Sequence, residues 1–263
     1  MKNLNFLMLS TSVSVFLLFS CSNKDNITDT DETIDTVTSA IATPLSAFDE
    51  FNPSAVTISF DGDEITIDSN GMPNHTSPYW ESTNPLHIDQ IVGDHLTPGN
   101  IQSGSFIVTV SSAPEKASTS SATGLGAIGI SVTGVPIFNG QEGQNRALDA
   151  QTATGFDYAG GHNGPSGYHY HIESTDIPEN TVLSFDDEDL VGIMADGFLL
   201  YGKKCNSLGD HPTDLDVSGG HTSSTQHSSN DEFYHYHIIN EFYVNTYILL
   251  FGGALQGTPN SIL

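Results

Sequence analysis

Basic residues are scarce in this chain. Six lysines and arginines face 32 aspartates and glutamates, for a formal net charge of −26. Such a surface is repelled by nucleic acid and by anionic lipid, so no nucleic-acid partner is expected, and it attracts cations. The acidity also serves plain solubility. Cysteine is scarcer still, with only Cys21 and Cys205. If the first is taken up by an N-terminal anchor, the second has no internal partner, and the domain must stand on its core or on metal. Sustained helical periodicity is missing, which leaves little room for helix. Phosphate-cradling glycine motifs are missing as well. Gly164-Pro165-Ser166-Gly167 is not a nucleophile elbow. Asp186-Asp187-Glu188-Asp189 lacks the spaced Asp and Gly of a calcium loop and reads as a solvated turn.

Residues 1–20 carry a single charge, Lys2, and an apolar run from Val13 to Phe19 that is too short to span a membrane. The run ends in Leu18-Phe19-Ser20-Cys21, a lipoprotein-type cleavage box. Cys21 is therefore the expected lipidated N-terminus. The expected location is the outer membrane, on its periplasmic or cell-surface face, with the lipid as the only membrane contact. Lys24-Asp25 resembles the export tag of surface lipoproteins. Residues 21–48, rich in Thr, Asp, Ser and Asn, read as a flexible acidic tether, with a short helix at 33–42 as the alternative. Residues 49–263 are left for one domain.

That domain reads as mostly β, a sandwich or barrel-like fold with little helix. Val56, Ile58 and Phe60 alternate with polar residues, Asp61-Gly62-Asp63 turns, and Ile65 and Ile67 resume. Residues 71–95 form a shaped loop. Phe106, Val108 and Val110 mark another strand, and 113–123 a Ser/Thr-rich loop. The apolar stretch 241–251 predicts a final buried strand. Between these lies an internal duplication, with units at about 126–172 and 189–238. Gly129 to Phe138 aligns with Gly192 to Tyr201 at an offset of 63 residues, each a hairpin turning at Gly134 or Gly197.

Each unit then carries a Gly-Gly-His, at Gly160-Gly161-His162 and Gly219-Gly220-His221. Each ends in an alternating run, Tyr168-His169-Tyr170-His171 or Tyr234-His235-Tyr236-His237. On a strand, alternate residues face opposite ways. His169 and His171 therefore share one face, as do His235 and His237, and His162 or His221 can complete a three-nitrogen set. Three imidazoles suit zinc or copper. Whether one ion bridges the copies or each copy holds its own stays open. A metal-dependent hydrolase or hydratase would use metal-bound water, with Asp157, Asp196 or Glu232 as base. A metal-free alternative bonds the histidines to loop carbonyls and to Asp157, Asp196 or Asp231. Its function would be adhesion or glycan binding through the tyrosines and Trp80. The cupin pattern does not fit, because Glu173 follows His171 too soon. Cys205, after Lys203-Lys204, reads as a buried, inert thiol.

The ordered set Pro73-Asn74-His75, Gly134-Val135-Pro136-Ile137, Gly160-Gly161-His162, Asp196-Gly197-Phe198 and the two Tyr-His runs resembles the YHYH domain family of secreted bacterial proteins. The resemblance runs from about Met72 to Ile238. It implies a secreted domain and no particular activity. It also implies a cysteine just before the Gly-His pair; Ala159 stands there, so a family disulfide is not carried over.

Overall fold

The computed structural model describes residues 42–90, 95–173 and 187–263. The leader, Cys21 and the expected tether up to residue 41 lie outside the described residues.

β1 (Val56–Asp61), β2 (Glu64–Ser69) and β3 (Phe106–Ser111) form a three-stranded antiparallel sheet. Its alternation works as read in β2 and β3, where Ile65, Ile67, Val108 and Val110 are buried; in β1 Val56 is buried, Ile58 half-buried and Phe60 exposed. Each buried side chain contributes about 1.5–3 kcal/mol on leaving water. Packing starts before residue 49. Thr43 N–H donates to the Ser112 carbonyl at 2.7 Å, and Ala47 and Phe48, assigned to the tether on composition, are buried.

The remaining strands are β4 (Ala127–Ser131), β5 (Pro136–Phe138), β6 (Gln141–Glu142), β7 (Arg146–Ala147), β8 (Gly161–Gly164) and β9 (Gly167–Tyr170). They continue with β10 (Leu190–Met194), β11 (Leu199–Tyr201), β12 (Gly220–Thr225) and β13 (Ser228–His237). β6 and β7 pair only with each other. The other eight form one sheet in the order β12-β13-β11-β10-β4-β5-β9-β8. The order is open, so the barrel alternative falls and a sandwich-like arrangement of the large and small sheets on one core remains. The only α-helix among the described residues is the single turn Ala150–Ala153, capped by Asp149.

The sheet order reads the same from both ends once the two units are exchanged. β5 and β9 run parallel, as do β11 and β13. The halves join at β4 and β10, antiparallel, with Ile130 opposite Ile193, Gly129 opposite Met194 and Ser131 opposite Gly192. Ile130 and Ile193 are equivalent at the 63-residue offset, so an approximate two-fold axis passes through that pair. The hairpin turns place Gly134 and Gly197 at φ of 96° and 88°, the left-handed region that glycine enters without penalty. The small sheet lies over these turns: the Ser69 hydroxyl donates to the Gly134 carbonyl, and Asn52 N–H to that of Val132.

The expected final strand does not form. Asn245 takes φ of 52° in a turn closed from Tyr247 N–H to the Val244 carbonyl, and this breaks the apolar run. Phe242 and Tyr243 are exposed, and only Ile248, Leu249, Leu250 and Phe251 are buried.

Candidate metal centres

Two hairpins build the site residues. In β8–β9, His162 lies directly opposite His169; in β12–β13, His221 lies opposite His235. Opposed residues on neighbouring strands sit about 4.5–5.5 Å apart, so the Gly-Gly-His histidine arrives beside the Tyr-His strand by register alone. A carboxylate shapes the approach. Asp157 Oδ1 accepts from the amides of Ala159 and Gly161, and Asp216 Oδ1 from those of Ser218 and Gly220. Tyr168 donates its hydroxyl to Asp157 at 2.6 Å, and Tyr234 does the same to Asp216 at 3.0 Å. The tyrosine ring lies against the glycine: a Cβ on Gly161 would stand 2.7 Å from Tyr168 Cζ. The alternation thus divides labour. Tyrosines face the core and anchor the loop, while histidines face the other side.

Several expectations fall with this. Asp157 and Asp196 serve tyrosine hydroxyls, Tyr168 and Tyr236, and neither bonds a histidine. Asp231 and Glu232 are exposed. Trp80 and the motif tyrosines are buried, so they form no contact surface for a glycan. His75 bonds the Tyr170 hydroxyl and His227 that of Tyr201.

In the first centre, His162, His169 and His171 are all buried, and their ligand atoms lie within 4.8 Å of one another. His169 Nδ1 meets the Gly167 carbonyl at 2.9 Å and His171 Nδ1 meets that of Asn139 at 2.6 Å. A carbonyl only accepts, so each Nδ1 carries the hydrogen and each Nε2 presents a lone pair. A fourth group comes from β6. Glu142 Oε1 stands 3.2 Å from His162 Nε2 and 3.7 Å from His171 Nε2. Both His162 nitrogens, His171 Nε2 and Glu142 Oε1 are buried without an aligned hydrogen bond. Burial, then the neighbouring His162, pushes His171 down to about 4; burial and the other two histidines hold His169 well below its ordinary value. Phe138 stacks on His169 at 3.9 Å, and Phe156 on His171.

In the second centre, Cys205 joins His221, His235 and His237, all buried and within the same 4.8 Å. His235 Nδ1 donates to the Phe233 carbonyl and His237 Nδ1 to that of Gly202. Gly202 is the 63-residue equivalent of Asn139. His221 Nδ1 donates to the Asp214 carboxylate at 2.9 Å, the usual orienting partner of a metal-ligating imidazole. The Nε2 atoms of His235 and His237 are 3.1 Å apart, and Cys205 Sγ is 3.5 Å from His221 Nε2. Burial raises the Cys205 thiol, but the neighbouring His235, Ser207 and Ser223 outweigh it and bring it down to about 6. Burial brings His237 down to about 4. Cys205 is buried as expected, and it faces three imidazoles.

These separations have a chemical scale. Nitrogen or oxygen ligands at about 2.0–2.1 Å from a tetrahedral ion lie about 3.3 Å from one another, and a sulfur at about 2.3 Å lies about 3.6 Å from a nitrogen. The 3.1, 3.2 and 3.5 Å contacts are of that size. The two clusters are far apart. Four strands, β5, β4, β10 and β11, separate β9 from β13; five spacings of about 4.8 Å put roughly 24 Å between them, so one ion cannot bridge the copies.

Glu142, Cys205 and Asp214 were not among the residues singled out as ligands or their supports. The repeat holds the signal for two of them: the 63-residue offset that carries Gly129 onto Gly192 carries Glu142 onto Cys205.

Residues 107–214 match the model of the family described as YHYH protein. The chain carries a YHYH domain. The match is narrower than the motif resemblance. It contains all of the first cluster and Cys205, and ends before His221. No curated protein and no solved structure matches the chain. Among the described residues, no helix is long and apolar enough to cross a membrane.

Proposed function

We propose that this YHYH domain binds two transition-metal ions, one in each half, and is held outside the cytoplasm by a lipid on Cys21. Zinc or copper fits the donors. The observation that carries the reading is the pair His235 and His237. Both Nδ1 hydrogens are committed to carbonyls, so two lone pairs face each other across 3.1 Å. Burial disfavours a proton on either ring. A cation between them relieves that opposition, and His169 and His171 of the first centre present the same tautomers.

The metal-free network accounts for the Nδ1 contacts and for His221 Nε2, which meets the Ser223 hydroxyl and Cys205, but it leaves both nitrogens of His162 and Nε2 of His171 without partners. Turnover by metal-bound water has less support than capture, because the histidines of both centres are at most 6% exposed. The bases expected for that chemistry are also engaged elsewhere or lie on the surface.

The test is metal analysis of the purified mature chain. Two ions per chain are expected, falling to one when His169 and His171, or His235 and His237, are both replaced by Phe. A parent protein that retains no transition metal after loading and gel filtration sinks the reading. Cys21→Ser is expected to release the protein from the membrane fraction.

A further inference from the structure

The two centres share three histidines and differ in the fourth group. Glu142 stands four residues past Phe138, the end of β5, and Cys205 four residues past Tyr201, the end of β11. Each approaches the equivalent imidazole, Glu142 that of His162 at 3.2 Å and Cys205 that of His221 at 3.5 Å. The fold has therefore placed a carboxylate and a thiol at one and the same ligand position. Their surroundings follow suit. The Ser207 and Ser223 hydroxyls lie 3.1 and 3.3 Å from the Cys205 sulfur, within reach to donate to a thiolate. His221 is backed by Asp214, whereas His162 Nδ1 has no hydrogen-bond partner.

Resting on the two-centre reading above, we propose that the centres divide metals between them. The Cys205, His221, His235 and His237 centre takes a soft ion, copper(I), as a thiolate complex. The Glu142, His162, His169 and His171 centre takes a harder divalent ion of the manganese-to-zinc series. Thiolate selects copper(I) and zinc, while a carboxylate in the same position moves the preference toward manganese and iron(II). The thiolate's negative charge is local to its centre, and the separation across four strands keeps the two sites independent.

Cobalt(II) is the probe, since a cobalt–thiolate bond adds an intense near-ultraviolet charge-transfer band that imidazole and carboxylate do not. Titration of the reduced mature chain without oxygen is expected to give two bound cobalt ions, one of them with the band. Cys205→Ser is expected to abolish the band. Glu142→Cys, which leaves Cys205 in place, is expected to double it. In competition, copper(I) is expected to displace the cobalt that carries the band before the other. Two bound ions with no band in the parent, a band that survives in Cys205→Ser, or no gain in a folded Glu142→Cys protein overturns the division and leaves the two-centre reading intact. No cobalt bound at all overturns that reading instead.

Discussion

At the scale of single residues, the Tyr-His alternation decides what each side chain can do. The histidines could be placed on one face from the sequence, because a strand has a period of two whatever it packs against. Their inward nitrogens are fixed by carbonyls of Asn139, Gly167, Gly202 and Phe233, and no residue type announces a carbonyl. Glu142 and Cys205 were hidden for another reason. They come from segments 20 and 16 residues before the histidines they meet, at His162 and His221, and only the repeat offset links them. The depressed histidines set a pH dependence. His171 and His237 lie at about 4 in the fold against 6.5 without it. Between those values the unfolded chain binds protons that the folded chain refuses, so stability is full above about 6.5 and is lost as pH falls toward 4. In chelator, the unfolding free energy from urea melts is expected to drop across that window, by at most about 3–4 kcal/mol per histidine. Asp196, raised by burial, gives the opposite slope. The His171→Phe, His237→Phe protein should therefore lose part of the acid sensitivity, the rest staying with His169 and His235, which burial also depresses; an unchanged profile would place its origin in other groups.

At the scale of elements, each centre is a hairpin with a capped entry. The Asp-x-x-Gly-Gly-His loop closes on its own strand because a tyrosine occupies the space that a side chain on the second glycine would need. Gly161→Ala puts a methyl 2.7 Å from the Tyr168 ring and 2.8 Å from the His169 carbonyl. It is expected to cost about 1–3 kcal/mol by overpacking, and to take one of two metal ions with it, since β12 and β13 are untouched. Metal analysis beside a urea melt checks both; loss of both ions would mean that the halves are coupled. Elsewhere local reading met its limit. Hairpins with Gly at the turn were legible because turn chemistry is local. The stretch at 241–251 was not, since its apolar content matched a strand while Asn240 and Asn245 made a turn available.

At the scale of the molecule, the duplication was legible as fixed-order self-similarity, but the sheet order was not. Nothing in either repeat says that β9 pairs with β5 in parallel, or that the halves meet through β4 and β10; long-range packing settles those edges. The seam rests on Ile130 and Ile193, both fully buried. Ile193→Ala is expected to cost about 2–5 kcal/mol with both metal ions retained below the transition. One cooperative unfolding step is expected to persist, monitored by tyrosine fluorescence and by metal release. Two separate steps would show that the halves stand alone.

The antiparallel meeting of β4 with β10 has a further consequence. Each half supplies the same strand to the seam, in a register that maps onto itself. A half cut free would end in an uncovered β4 edge, and the surface complementary to that edge is a second copy of the same half. The chain is in this sense an isologous dimer written as one polypeptide. The covalent link between halves is what allowed one copy to keep a carboxylate and the other a thiol, a distinction that no assembly of identical subunits could maintain.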